Sequence, residues 1–235
     1  MGRNRHRRAP LKTDDSTATT LEVRDGLTVS ARWLAPLAAR ACYVMAHSAG
    51  AGMDHRSMRE IAEGLAALGV ATLRFQFPYM ERGSRRPDPP PLCHATVRAA
   101  VAAASRLAPD LPLVAGGRSF GGRMTSQAQA LEPLAGVRGL AFLGFPLHPA
   151  GAPADTRAAH LAQVRLPMLF LQGTRDALAE PALLAAVVAR LGTRATLHRV
   201  EGADHSFHVR AGSGRTDAQV LTELLQRLAA WIDAI

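Results

Sequence analysis

Aromatic side chains make up only 5% of this 235-residue chain, lysine occurs once, at Lys12, and cysteine twice, at Cys42 and Cys93. With so few rings the core has to be assembled from Ala, Leu and Val, which a chain that is 48% hydrophobic holds in quantity. Two cysteines cannot build a disulfide framework, and neither belongs to a C-x-x-C pair or a plausible metal cluster. A reducing, cytoplasmic setting and no bound metal are expected. No apolar run approaches the roughly eighteen residues of a membrane helix, and none follows the basic N-terminus, so neither membrane spanning nor export is expected. No Lys-Ser/Thr pair follows a glycine loop, which leaves a phosphate-binding loop without support, and no cofactor is expected.

Charge is not scarce, but its distribution excludes the obvious partner. The net charge is +9, and Arg3, Arg5, Arg7, Arg8 and Lys12 carry five of it, leaving +4 spread among acidic residues. No basic stripe is left for a nucleic acid to lie on. Residues 1–19 are polar and without period, which reads as a disordered basic tail preceding a single domain over 20–235. The oligomeric state is not legible.

From Leu21 the pattern turns regular. Leu21, Val23, Leu27 and Val29 alternate around Asp25-Gly26, a dipeptide suited to a hairpin turn. Short apolar runs then alternate with helix-like stretches, the rhythm of parallel strands joined by crossover helices. The strands are expected at Cys42 to Ala46, Ala71 to Phe75, Leu111 to Ala115, Gly139 to Gly144, Met168 to Gln172 and Thr196 to Val200. Met58, Ile61, Leu65 and Leu68 share one helix face ahead of Gly69, while Leu221, Leu224, Leu225, Leu228 and Ile232 mark a closing helix capped by Thr216 and Gln219. The Pro-rich stretch Arg85 to Pro91 and the stretch Pro146 to Pro153 read as loops. The fold class is α/β, a mostly parallel sheet with an antiparallel N-terminal hairpin and helices on both faces. Only Phe145 to about Asp155 separates one strand from the next helix-like stretch, too little for a cap domain.

Gly117-Arg118-Ser119-Phe120-Gly121 lies between an apolar run and a stretch where Met124, Ala128 and Leu131 share a face, giving strand, sharp turn and helix. A serine hydroxyl needs a general base, and the base needs an acid to fix its tautomer. In the chain order nucleophile, acid, base, Asp176 follows the strand that ends at Gln172, and His205 follows the last strand. Of the later histidines, His198 falls within a strand and His208 beyond the turn. Asp204 is a rival acid, awkwardly adjacent to His205. The oxyanion donors are expected from the amide of Phe120 and from the loop His47-Ser48-Ala49-Gly50-Ala51-Gly52, with Ala49 the candidate. That loop also reads as a plain tight turn. His47, Ser48, Tyr79 and Arg118 are candidates for touching substrate, although Tyr79 reads equally as packing. Arg118, Arg123 and Arg175 suit either an acidic substrate or the pinning of loops.

Several segments together carry a resemblance: His47 to Gly52 with Met53-Asp54-His55, Phe77-Pro78-Tyr79-Met80, Gly116 to Arg123, Pro146-Leu147-His148-Pro149, Gln172 to Asp176 and Asp204-His205-Ser206-Phe207. The chain resembles the dienelactone-hydrolase-like α/β-hydrolases, and within them the group that includes the mammalian testis-expressed protein thirty. This resemblance implies the α/β-hydrolase fold with Ser119, Asp176 and His205 as triad. The family usually has glycine where this chain has Ser48, and dienelactone hydrolases use cysteine where this elbow has serine. The expected activity is hydrolysis of a small ester, thioester or related acyl bond, the substrate being the one partner expected. The alternative is a non-catalytic binding or scaffold protein on the same fold.

Overall fold

A computed structural model describes residues 15–235. Residues 1–14, most of the expected tail, lie outside the described residues. The first strand, β1 (Thr17–Arg24), begins earlier than the apolar alternation indicates. Thr17, Ala18 and Thr19 pair with Trp33, Arg32 and Ala31 of β2 (Leu27–Leu34), so this end of the supposed tail is strand. Its short side chains bury little, and the extension therefore leaves no hydrophobic signature.

The remaining elements are β3 (Ala41–Ala46), α1 (Arg56–Ala67), β4 (Val70–Phe75), α2 (Pro78–Glu81), α3 (Pro90–Leu107), β5 (Leu113–Arg118), α4 (Phe120–Leu131) and β6 (Val137–Leu143), followed by a 3-10 helix over Thr156–Gln163. The chain closes with β7 (Met168–Gly173), α5 (Pro181–Leu191), β8 (Ala195–Val200) and α6 (Asp217–Asp233). Eight strands form one sheet in the order β1-β2-β4-β3-β5-β6-β7-β8. The β1/β2 and β2/β4 pairs are antiparallel and the rest parallel. Chain order reverses at β3, beside β5, and such a switch point opens a crevice at the carboxyl ends of the strands.

The central strands bury both faces, as parallel strands covered by helices must. Cys42, Val44 and Ala46 of β3 join the core under α3, α4 and α5, while Ala41, Tyr43 and Met45 join the core under α1 and α6. Helix α1 buries Met58, Ile61, Ala62 and Leu65, and the chain leaves it at Gly69 with φ +75°. Two expectations need correction. Helix α3 starts inside the Pro-rich stretch, because Pro90 and Pro91 stand where a helix has no use for their missing N–H groups. Strand β5 runs on to Arg118, because Gly116 and Gly117, which look like a turn, pair with Met45 and Ala46 on one side and Ala141 and Phe142 on the other.

Helix α6 seats Val220, Leu224, Leu228 and Ile232 on the sheet and is started by a reciprocal cap between Thr216 and Gln219. Replacing Thr216 with Ala is expected to lower stability by about 1 kcal/mol. Urea unfolding measures this, and an unchanged midpoint would show that the cap contributes nothing.

Candidate active site

Ser119 stands between β5 and α4 with φ +51° and ψ −117°, a strained setting for a residue with a Cβ. The flanking glycines explain how the turn is tolerated. A Cβ on Gly117 would lie 2.2 Å from the Ala46 carbonyl oxygen, and one on Gly121 would lie 2.5 Å from that same oxygen and 2.7 Å from the His47 carbonyl oxygen. Both sites are empty so that the end of β3 can press against the turn. The 47–52 loop is thereby brought beside Ser119.

His205, in the loop after β8, places Nε2 2.8 Å from Ser119 Oγ and Nδ1 2.7 Å from Asp176 Oδ2. Asp176 is 4% exposed and is held on both oxygens. Leu178 N–H donates to Oδ1 at 2.7 Å, and Gln172 Nε2 donates to Oδ2. Asp204, the rival acid, instead accepts from the amides of Ser206 and His208 at 2.8 and 3.0 Å, which shapes the loop that presents His205. The other described histidines are engaged elsewhere: His55 caps α1, His94 meets Gln127, His148 accepts from the Glu180 amide, His160 meets Ser126, His198 pairs with Glu223 and His208 with Asp217. Only His205 is joined to Ser119 among them.

The remaining expected site residues divide. Phe120 is the first residue of α4, so its amide belongs to the group a helix leaves unpaired at its start. Ala49 is exposed on the loop beside it. His47 has no atom left for a substrate: its ring is fully buried, Nδ1–H donates to the Ser48 carbonyl at 2.8 Å, and Nε2 accepts from Phe77 N–H at 3.0 Å. Burial pushes its pKa down to about 4, so the ring is a neutral latch between the loop and the chain after β4. The Ser48 carbonyl also accepts from Ala51 N–H at 3.3 Å, which closes the loop into a turn. Tyr79 is buried against Phe77 and Phe120. Arg118 extends towards α1, bonds Ser57 Oγ and lines a groove of about 350 Å³ with Arg56, Glu60, Ser206 and Leu221. Neither Ser119 nor His205 lines that groove.

The sequence reading missed Gln172. It places the residue at the end of a strand, yet the side chain is 3% exposed and bridges two loops, accepting from Phe145 N–H at 2.8 Å and donating to Asp176. A lone amide ending an apolar run, four residues before a candidate acid, is the signal that could have exposed it.

Comparison with known proteins agrees with this architecture. A family model described as alpha/beta hydrolase domain matches residues 39–233. A dienelactone hydrolase from Anabaena variabilis superposes with a TM-score of 0.75 at 20% identity, covering 94% of this chain and 97% of that one. A serine hydrolase without a lid from Xanthomonas campestris gives 0.71 at 21% identity, with 95% and 98% covered. An esterase domain from a Rhodothermus marinus protein gives 0.69 at 18% identity, with 92% and 97% covered.

Replacing Gln172 with Leu leaves the Phe145 amide without a partner and Asp176 Oδ2 with His205 alone, and is expected to cost about 1–3 kcal/mol of stability in chemical unfolding. An unchanged unfolding midpoint would refute the bridge. A pH effect also follows. His47 and His160 have pKa values pushed down by burial to about 4, so between roughly pH 6.5 and 4 they take up protons only in the unfolded chain. Stability should therefore fall as pH is lowered through that window, and less steeply in His160→Gln. Equal slopes for the two proteins would contradict this account.

Proposed function

Because the chain belongs to the alpha/beta hydrolase domain family, we propose that it is a serine hydrolase cleaving a small ester, thioester or related acyl bond through an acyl-enzyme. The observation that carries this reading is the hydrogen-bonded line Ser119 Oγ, His205 Nε2, His205 Nδ1, Asp176 Oδ2, with links of 2.8 and 2.7 Å. In that line Asp176 accepts from Nδ1–H and leaves Nε2 free to take the serine proton. Ser119 Oγ then bonds the substrate carbonyl carbon, and the negative charge on its oxygen meets the amides of Phe120 and Ala49. Protonated His205 returns the proton to the departing alcohol or thiol as its bond to carbon breaks. Water, deprotonated by His205, attacks the acyl-enzyme next. The acid leaves and Ser119 regains its proton.

The loop of residues 144–155 is short and carries no cap over the cleft, which favours short acyl groups over long chains. The motifs that resemble the testis-expressed-protein-thirty-like group support assigning the chain to that group as part of the same proposal. Both cysteines are free and buried, which suits a reducing compartment such as the cytoplasm.

Fluorophosphonate labelling tests the reading. The native protein should be labelled, while Ser119→Ala should not be and should hydrolyse a short acyl ester about a thousandfold or more slowly. His205→Ala should lose labelling as well. A folded native protein that takes no label would favour a scaffold on this fold.

A further inference from the structure

The groove of about 350 Å³ that Arg118 lines lies between the first turns of α1 and α6, and its volume is that of a small-ligand site. It adjoins the Ser119–His205 pair through the chain on both sides. Arg118 immediately precedes Ser119, and Ser206 and Phe207 immediately follow His205. Consecutive Cα atoms are about 3.8 Å apart, so the groove wall begins one residue from each partner of that hydrogen bond.

The charges around the groove are paired with one exception. Glu60 meets Arg56 at 2.7 Å, and Asp217 meets His208 at 2.8 Å. Arg118 is half-buried and bonds only the Ser57 hydroxyl, and among the described residues no carboxylate forms an ion pair with it. Burial lowers the pKa of its guanidinium, and the field of Asp204 offsets this only in part, because the Asp204 carboxylate is held by the amides of Ser206 and His208. Arg118 also reaches the first turn of α1, which carries no acidic residue, so the partial positive charge of the helix start adds to its own. Ile61, Phe207, Leu221 and Leu224 supply an apolar wall. The occupant that suits both features has an apolar body, which covers that wall, and an oxyanion, which takes the guanidinium donors that Ser57 leaves free.

We propose that this groove is a leaving-group subsite, seating an alcohol or thiol whose apolar body carries an oxyanion bound by Arg118. This rests on the serine-hydrolase reading. Two features assign the groove to the leaving group rather than to the acyl group. His205 has to stand beside the departing atom to protonate it, and the two residues after His205 form part of the groove wall. The acyl carbonyl oxygen is directed in the same reading at the Phe120 amide and the 47–52 loop, and none of those residues borders the groove. A planar guanidinium can meet a carboxylate through two parallel hydrogen bonds, which lysine cannot reproduce.

Two measurements test this. The first compares kcat/KM for the acetyl ester of para-hydroxybenzoate with that for the acetyl ester of para-hydroxybenzamide, each divided by the ester's uncatalysed hydrolysis rate. The two leaving groups differ in charge but scarcely in shape. The native enzyme should prefer the charged ester, and the ratio should fall roughly ten- to a hundredfold in Arg118→Gln, with Arg118→Lys between the two. Because each ratio is read within one protein, a general loss of activity from a change beside Ser119 cancels. A native preference for the amide, or a ratio that Arg118→Gln does not change, overturns the proposal. The second is calorimetric binding of para-hydroxybenzoate to Ser119→Ala, which needs no catalysis. Saturable binding that is weakened by adding Arg118→Gln, and also by adding Leu221→Trp to fill the groove, supports the subsite. Absence of binding to Ser119→Ala, or binding that neither change weakens, overturns it. Failure of the native protein to take a fluorophosphonate label would instead count against the hydrolase reading alone.

Discussion

The site depends on a near-contact of backbone with backbone. The end of β3 runs so close to the turn at Ser119 that neither Gly117 nor Gly121 has room for a single carbon more. That approach sets the 47–52 loop beside the first amide of α4, the neighbourhood that the proposed pair of oxyanion donors requires. It also constrains Ser119 itself, whose positive φ persists because paired strands on both sides of β5 and the helix after it leave the turn no alternative. Close packing therefore positions Ser119 and the loop together, and a change on one side is felt on the other.

Polar side chains with no chemical role hold this arrangement. His47 fastens the loop to the chain after β4, and Gln172 fastens Asp176 to the chain after β6. Asp204, a plausible acid by its residue type, spends its carboxylate on two amides of the loop that carries His205. In each case a buried polar group gains its partners by crossing between segments distant in sequence, as the low dielectric of an interior demands.

Much of the fold was legible because hydrophobic periodicity reports local structure directly. The rhythm of strand and helix, the face of α1, the capping box of α6 and the shortness of the 144–155 loop are properties of neighbouring residues, and the architecture agrees with each. Errors fell where burial gave no contrast. Thr17 to Thr19 form strand without apolar alternation, Gly116 and Gly117 form strand with no side chain at all, and Pro90 and Pro91 open a helix while looking like a loop.

For the site, the amino-acid sequence by itself determined the candidates: a serine between glycines, an aspartate after one strand, a histidine after the last, in an order the chemistry recognises. Tertiary structure alone decided among them. It joined His205 to Asp176 rather than Asp204, buried His47 between two backbone partners and turned Arg118 towards α1. The physical reason is that residue type and spacing set which bonds a side chain can make. Which of them it does make depends on the partners that packing brings within about 3 Å, often from across the chain.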